Sequence, residues 1–199
     1  MSLLFETIKC MNGNLHNLEF HQERFNRSRK KYFDSTDSIL IKESISIPEE
    51  FRSGVFRCRI SYSEKIEKVE FIPFQFRKVE SLKLVYDDSV DYSFKYTDRE
   101  YLTRLYKKRE ECDDILIVKN NCITDSYTAN PIFFDGKSWW TPDTVLLPGT
   151  QRARLLREGK ITEQKITLDN LFKFLKIGLI NALQPMENMP VIDIKNVKK

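Results

Sequence analysis

The sequence predicts an α+β protein with two consecutive domains, covering residues 1–79 and 80–199. Stretches in which every second residue is apolar, typical of strands, occur together with stretches of helical spacing. A polar segment near residues 78–81 separates one group of elements from the next, so we place the domain boundary there. Of the 199 residues, 41% are hydrophobic, which is enough for one large core or two modest ones.

The first domain is expected to begin with a β-hairpin. Two short apolar stretches, residues 4–9 and 14–20, flank Asn12–Gly13, a dipeptide that favours tight hairpin turns. Residues 54–61 and 68–79 then alternate between apolar and polar side chains, which predicts a further pair of strands.

A helix is predicted after the first hairpin. Its inner face is marked by residues that recur at helical spacing: Leu18, His21, Phe25, Ser28 and Tyr32. Arg24 lies three residues after His21 and four before Ser28, so it should lie at the edge of this buried face. The basic stretch 27–31 is expected to be mostly solvated surface.

The second domain contains stronger helix and turn signals. Thr97 and Glu100 have the spacing of a helix-capping box, and Thr167 is a candidate cap for the last helix. The remaining predicted elements are a strand at 82–86, hairpins at 114–124 and 132–140 that turn at Asn120–Asn121 and Asp135–Gly136, a helix from Pro148 to Leu156, and strands at 179–182 and 191–194. Asp135–Gly136 is expected to form a type I′ turn.

Composition and charge exclude several classes of protein. The formal net charge of +4 is too small for a protein that binds nucleic acid through its charge. No membrane span or signal peptide is recognisable, and the four cysteines and two histidines lack metal-ligand spacing. We therefore predict a cytoplasmic protein with reduced thiols, without a metal site and without nucleic-acid or membrane partners.

Three segments are candidates for chemistry. Lys95 lies between a strand and a predicted helix start, where an amine could act as a nucleophile, or could be an ordinary surface lysine. Asp125 precedes hydroxyl and amide residues at a strand end, which also suits a plain turn-rich loop. Pro148–Gly149 begins a helix whose first N–H groups could bind a phosphate, unless the helix start is only structural.

The order of these segments resembles the class IV aminotransferase family of pyridoxal-phosphate enzymes. This family includes branched-chain and D-amino acid aminotransferases and aminodeoxychorismate lyase, whose short form is the most similar. The resemblance extends along nearly the whole chain, through the motif segments Phe5–Lys9, His21–Ser28, Lys95–Arg99, Thr124–Asn130, Leu147–Arg152, Asn181–Leu183 and Pro190–Val191.

The resemblance implies a role for each matching residue. Lys95 would be the catalytic lysine that forms the Schiff base with the cofactor, pyridoxal 5′-phosphate, Arg24 would bind its phosphate, and Asp125 would pair with its ring nitrogen. The other implied cofactor-binding residues are Ser126, Tyr127, Thr128, Leu147, Gly149, Thr150, Gln151 and Ala182. Lys9 and Arg99 are candidate substrate-binding residues.

The resemblance also implies a fold and an activity. The fold would be a small α/β sandwich and a larger pseudo-barrel domain with the cofactor between them, in a homodimer that acts on a small amino substrate. Arg99, four residues after Lys95, is similar to the arginine of the lyases, so the resemblance favours release of pyruvate and 4-aminobenzoate for folate synthesis. The alternatives are an aminotransferase for a branched-chain or D-amino acid and a relative that binds the cofactor with little activity.

The chain departs from the family pattern at several points. Asp125 replaces the commoner glutamate and is one methylene shorter, and Gln151 stands where threonine is frequent. Pro131 follows Asn130 and removes one backbone N–H. The segment before Phe5 and the first domain are shorter than usual, which leaves the substrate open.

Overall fold

The computed structural model describes residues 3–199, which form two compact units. The first unit extends through Gln75 and also includes Phe94–Asp98, whereas the second comprises Phe76–Ser93 and Arg99–Lys199. The chain thus leaves the first unit, returns to it for five residues and leaves again. The predicted division at residues 79 and 80 had placed Lys95 with the second group of elements.

The first unit is built on a four-stranded antiparallel sheet. Its elements are β1 (Leu4–Met11), β2 (Asn14–Leu15), α1 (Leu18–Tyr32), α2 (Ile41–Ser44), β3 (Val55–Tyr62) and β4 (Ile66–Pro73), and the strand order is β2-β1-β3-β4. The predicted hairpin and helix are confirmed, although α1 begins within the stretch expected to continue β2. Alternation in the strands directs every second side chain to the face that α1 covers.

The core of the first unit lies between this sheet and the helices. Leu4, Ile8 and Cys10 of β1 pack with Phe25 of α1 in one apolar cluster. Glu6 has the same parity as these β1 residues, so an acidic side chain enters the core face of the strand. Its partners must therefore come from residues that cover that face.

One basic residue of α1, Arg29, is buried, although the stretch 27–31 was expected to be mostly solvated. Arg29 is 2% exposed, and its guanidinium donates to the Glu64 carbonyl and to the Asp37 carboxylate (Nη2 to Oδ1, 2.7 Å). These acceptors satisfy the guanidinium inside the protein, so the charge is not left unpaired. The helical spacing alone does not reveal acceptors that come from distant segments.

Backbone hydrogen bonds attach the segment Phe94–Asp98 to the start of β1. Phe5 N donates to Lys95 O and Thr97 N donates to Leu3 O, both at 2.9 Å. Leu4 and Tyr96 form an antiparallel bridge in the same place. This pairing is the reason that Lys95 belongs to the first unit.

The same pairing removes the predicted capping box. Thr97 donates its hydroxyl to Leu3 O at 2.9 Å instead of capping a helix. The helix α3 (Glu100–Lys107) has Arg99 as its N-cap residue, and no side chain caps it. The prediction for Thr97 was wrong because a strand partner competes for its hydroxyl.

The second unit contains two sheets. Besides α3, its elements are β5 (Leu82–Tyr86), β6 (Asp114–Lys119), β7 (Cys122–Ile123), β8 (Asn130–Phe134), β9 (Trp139–Pro142), α4 (Thr150–Arg157), β10 (Thr162–Gln164), α5 (Leu168–Leu171), β11 (Lys176–Ile180), β12 (Val191–Asp193) and β13 (Val197–Lys198). The strand orders in the two sheets are β10-β9-β8-β11-β12 and β13-β5-β6-β7. Side chains from both sheets share one apolar core. The mixed helices and sheets confirm the predicted α+β class.

The turn predictions succeed at one hairpin and fail at another. Asn120 and Asn121 have φ values of 50° and 61°, as a type I′ turn requires. In the other hairpin Gly136 has a positive φ but Asp135 does not, and the Asp135 carboxylate accepts from backbone N–H groups of the turn. That turn is therefore not type I′.

The predicted helix cap at Thr167 is confirmed. At the start of α5, Thr167 forms a capping box with Asn170.

Two absences hold for the part of the chain that the structure describes. Within residues 3–199, no helix is both long and apolar enough to span a membrane. In the same range, no three His, Cys, Asp or Glu side chains are grouped so that they could hold a metal ion.

Candidate active site

The predicted site residues fall into two groups, one in each unit. The first unit contains Lys9, Arg24 and Lys95. The second unit contains Arg99, Asp125, Ser126, Tyr127, Thr128, Leu147, Gly149, Thr150, Gln151 and Ala182.

Arg24 lies in α1 and is held by the buried carboxylate of Glu6. Its Nε donates to Glu6 Oε1 at 2.8 Å and its Nη2 donates to Oε2 at 2.6 Å. His21, one turn earlier in α1, places Nδ1 2.7 Å from the same Oε2. The three side chains form a buried polar cluster, which fixes the plane and direction of the guanidinium.

The pKa values in this cluster follow from burial and from the charge pairing. Burial alone would raise the pKa of Glu6, but Arg24 and the hydrogen bond from His21 lower it to about 2. Burial lowers the pKa of His21, and Glu6 opposes this effect only in part. At neutral pH the cluster therefore contains a carboxylate, a guanidinium and a neutral imidazole that donates through Nδ1.

Lys95 is half-buried beside an aromatic ring. Its Nζ lies 4.7 Å from the centroid of the Phe5 ring, and the Arg59 guanidinium lies 4.5 Å from the same centroid. The positive charge of Lys95 also contributes to the lowered pKa of His21. Lys95 and Arg24 belong to the same unit, and Lys95 packs on the ring of Phe5.

Lys9 lies in β1 on the face opposite to Glu6. It alternates with Glu6 along the strand, and it pairs with Arg57 of β3, so both basic side chains lie on one face of the sheet. The structure does not join Lys9 to the Glu6 cluster.

Asp125 follows β7 and is 7% exposed. Its Oδ2 accepts from the backbone N–H groups of Leu146 (2.5 Å) and Leu147 (3.2 Å), and its Oδ1 accepts from the side chain of Asn130. Burial raises the pKa of Asp125 to about 7, although these hydrogen bonds and the charge of Arg152 oppose the rise. A positive partner would restore the ionised form at this position.

The residues after Asp125 differ in accessibility. Ser126 is buried and its hydroxyl accepts from Ala129 N at 3.1 Å, which closes a local turn. Tyr127 is half-buried and its ring stacks on Tyr106, with centroids 4.3 Å apart. Thr128 is exposed. Only Thr128 of the three therefore presents its side chain mainly to solvent.

Arg99 is packed against this loop instead of pointing to solvent. Its guanidinium lies 4.5 Å from the centroid of the Tyr127 ring, and its Nη2 donates to Tyr127 O. Its Nε is buried and has no hydrogen-bond partner among residues 3–199. Arg99 thus supports the loop that follows Asp125.

The start of α4 lies next to Asp125. Gly149 is the N-cap residue, so Pro148 precedes the cap. The prediction that the helix begins at Pro148 is therefore wrong by two residues, since α4 begins at Thr150. The first intrahelical hydrogen bond runs from Ala153 N to Gly149 O. The buried residues Thr150 and Gln151 therefore lie in the first turn, where backbone N–H groups can hold a phosphate.

Leu147 connects Asp125 to this helix start. Its N–H donates to Asp125, as described above, and its carbonyl accepts from Asn130 Nδ2 at 3.0 Å. Ala182 follows β11 in a bend where Asn181 Oδ1 accepts from two backbone N–H groups. No described contact joins Ala182 to Asp125.

Four residues of these clusters have no predicted role at the site: Glu6, His21, Asn130 and Arg152. His21 is predicted only as part of the buried face of α1, and the other three only as members of motif segments. A signal for Glu6 existed, because a charged residue at a core position of an apolar strand requires a buried partner. For Asn130 the signal is weaker, since an asparagine near a turn usually satisfies its own loop.

The residues present fit pyridoxal phosphate. Asp125 is a buried carboxyl whose charged form is disfavoured by burial, and a protonated ring nitrogen would supply a positive partner for it. The first turn of α4, with Thr150 and Gln151, offers backbone N–H groups of the kind that hold a phosphate, and Lys95 supplies a half-buried amine. Taken one at a time, the carboxyl suits the ring nitrogen of that cofactor, the helix start suits its phosphate and the amine suits its aldehyde.

Comparison with known proteins agrees with this fit. Residues 3–194 match the family model for amino-transferase class IV. A protein of Haemophilus influenzae of uncharacterized function is 37% identical over 182 residues, covering 90% of this chain and 97% of that protein. A crystal structure from Haemophilus somnus, provisionally named a 4-amino-4-deoxychorismate lyase, is 35% identical with a TM-score of 0.88, covering 94% of this chain and 98% of that one.

A more distant structure shows the same fold. The branched-chain amino acid aminotransferase of Escherichia coli is 13% identical with a TM-score of 0.73, covering 98% of this chain and 76% of that one. The chain described here belongs to the class IV aminotransferase family, whose members depend on pyridoxal phosphate. It is therefore an enzyme of this pyridoxal-phosphate-dependent class.

Proposed function

We propose that this protein is a lyase that releases pyruvate from aminodeoxychorismate and leaves 4-aminobenzoate. The buried Asp125 carboxyl beside the start of α4 carries the assignment of the cofactor, pyridoxal 5′-phosphate. Similarity to the H. somnus protein supports the choice of the lyase reaction. Arg99 supports it less directly than the sequence suggested, because its guanidinium already binds Tyr127.

In this proposal each group holds one part of the cofactor. Lys95 Nζ would hold the cofactor covalently and would carry a proton once the substrate amine had replaced it. Asp125 would hold the ring nitrogen and favour its protonated form. When bound, pyridoxal phosphate supplies an electron sink that stabilises negative charge on the substrate carbon.

Two sets of residues are proposed to bind the phosphate. The backbone N–H groups of Thr150 and Gln151 donate from the first turn of α4. Arg24 supplies the positive charge, and the Glu6 carboxylate sets the direction of its guanidinium. Gln151 in place of threonine is compatible with this role, because the expected contact is through the backbone.

A product assay tests the reaction. The enzyme loaded with pyridoxal phosphate is incubated with aminodeoxychorismate without any keto acid, and pyruvate and 4-aminobenzoate are measured. Both products should form, and Lys95→Ala should abolish them, whereas Lys108→Ala, at an exposed lysine, should not.

Two other results would replace the lyase proposal. Turnover of an amino acid with 2-oxoglutarate, without pyruvate release, would make the protein an aminotransferase. Cofactor binding without either reaction would make it a binding relative with little activity. A panel of branched-chain and D-amino acids beside the lyase substrate separates these cases.

We also propose that the enzyme is a cytoplasmic homodimer in folate synthesis. The resemblance to the family supports the dimer, and four buried cysteines that form no disulfide suit a reducing compartment. Sedimentation at micromolar concentration tests the dimer. A monomer that binds the cofactor tightly would contradict it.

A further inference from the structure

Asn130, the first residue of β8, holds two parts of the second unit together. Its side chain is 5% exposed. Its Nδ2 donates to Asp125 Oδ1 and to Leu147 O, and its Oδ1 accepts from Gly149 N at 3.1 Å. Two acceptors on one side and one donor on the other fix the orientation of the amide.

The absence of a side chain at Gly149 leaves room for this amide. A Cβ atom at Gly149 would lie 2.1 Å from Asn130 Oδ1, which is impossible without movement. The φ of Gly149 is −72°, a value that any residue adopts easily. Glycine is therefore needed here for the close approach of Asn130 and not for backbone freedom.

Asn130 also determines how the Asp125 carboxylate can be used. A carboxylate has about four acceptor positions, two on each oxygen. Leu146 N and Leu147 N both donate to Oδ2, and Asn130 Nδ2 donates to Oδ1. Among the contacts of the described residues, the remaining acceptor position lies on Oδ1, the oxygen that Asn130 holds.

We propose that Asn130 is a positioning residue that fixes the ring-binding carboxylate and the phosphate-binding helix start in one geometry. This inference rests on the proposed use of pyridoxal phosphate. Asn130 acts through Asp125 and Gly149 and touches neither substrate nor reacting atoms. Its loss should therefore weaken binding at both ends of the cofactor.

The test compares the affinities for pyridoxal phosphate and for pyridoxal, which lacks the phosphate. The ratio of the two affinities isolates the phosphate end. Asn130→Ala should bind pyridoxal phosphate about tenfold or more weakly, because it loses a hydrogen bond to a charged group and two to the backbone. Its affinity for pyridoxal should fall less, so that the ratio drops by about threefold or more.

A second variant covers the case in which Asn130→Ala does not fold. Asn130→Asp preserves the shape and the acceptor for Gly149 N, but as a carboxylate it donates neither to Asp125 nor to Leu147 O and adds a like charge beside Asp125. Its affinity for pyridoxal, which reports the ring end alone, should therefore fall more than that of Asn130→Ala. A pyridoxal affinity equal to that of the wild type would overturn the link between Asn130 and Asp125.

Two matched variants serve as controls. Asp125→Asn replaces the ring-binding carboxylate itself, so its affinity for pyridoxal should fall at least as far as that of Asn130→Ala. Asn170→Ala removes the capping box of α5, so it should lower the melting temperature and leave both affinities unchanged.

The remaining outcomes distinguish the inference from the proposed function. If Asn130→Ala only lowers the melting temperature, as Asn170→Ala does, Asn130 is merely structural and the inference fails. If its affinity ratio equals that of the wild type, Asn130 does not act on the phosphate end and the inference also fails. If the wild type binds neither ligand, the proposed function is wrong, and the inference, which depends on it, is wrong as well.

Discussion

Glu6 and Arg24 form a bidentate ion pair in the core of the first unit, with N–O distances of 2.6 and 2.8 Å. The pair connects β1 to α1 and is completed by His21. Because the carboxylate is fully buried, its negative charge depends on the guanidinium for compensation. Arg24 therefore has a structural task in addition to the proposed phosphate binding.

Replacement of Arg24 should affect both stability and cofactor binding. Arg24→Ala leaves a buried carboxylate without its cation and should cost about 3–5 kcal/mol of unfolding free energy. Arg24→Lys keeps the charge but loses the bidentate geometry, so it should fold and bind pyridoxal phosphate about 2 kcal/mol more weakly. Urea unfolding and cofactor titration measure the two effects. Equal cofactor affinity in the lysine variant and the wild type would remove Arg24 from the phosphate site.

The Glu6 carboxylate should make the protein sensitive to acid. Its pKa is about 2 in the folded chain and 4.5 in a model peptide, so the stabilisation is complete above 4.5 and is lost as the pH falls toward 2. The wild type should lose up to about 3 kcal/mol over this range relative to Glu6→Gln. Urea unfolding at pH 6, 4 and 3 tests this. Parallel stability curves for the two proteins would argue against the shift.

Lys95 should carry the cofactor. Borohydride reduction of the loaded enzyme followed by peptide mapping should find the label on Lys95, because the Phe5 ring and the backbone pairing with β1 hold this lysine in a defined place. Lys95→Arg keeps a cation over the ring and should remain folded but unlabelled. A label on any other lysine refutes the assignment.

Asp125 should give the opposite pH dependence to Glu6. Burial raises its pKa to about 7 from an ordinary 3.8, so its protonated form favours folding at low pH and this advantage is lost as the pH rises toward 7. Between pH 4 and 8 the cofactor-free wild type should lose up to ~4 kcal/mol relative to Asp125→Asn. Thermal and urea unfolding of both proteins test the difference.

The Asp125→Asn variant should also bind cofactor yet lose most turnover, since an amide cannot stabilise a charged ring nitrogen.

Arg99 should act mainly on stability. Arg99→Ala removes the cation over Tyr127 and a hydrogen bond to its carbonyl, which should cost about 1–2 kcal/mol. Arg104→Ala, at an exposed arginine over Tyr101, is the matched control and should cost less. A loss in kcat/KM of a hundredfold with unchanged unfolding would instead identify Arg99 as a substrate-binding residue.

The sequence predicted most local elements correctly because their signals are local. The helix α1, the Asn120–Asn121 turn and the cap at Thr167 depend on neighbours within a few residues. The failure at Thr97 has a distant cause, since its hydroxyl bonds to Leu3 in another part of the chain. Short-range patterns cannot show such competition.

Residue type and resemblance to a family predict Lys95 and Asp125 as reactive groups, but they do not predict which residues support them. The contacts that orient such groups join residues far apart in sequence, such as Glu6 with Arg24 and Asn130 with Gly149. The reversed expectation for Arg29 has the same origin, because its acceptors Asp37 and Glu64 lie outside its helix.

The return of Phe94–Asp98 to the first unit has a consequence for dissecting the protein. A fragment that ends at Gln75 would lack the segment that bridges the start of β1 and would leave Leu3 O and Phe5 N without their backbone bonds. Neither unit can be excised as one continuous piece of sequence. A complementation experiment must instead supply the lysine-bearing peptide in trans, and recombination that exchanges whole domains at residue 79 would separate that peptide from the sheet it completes.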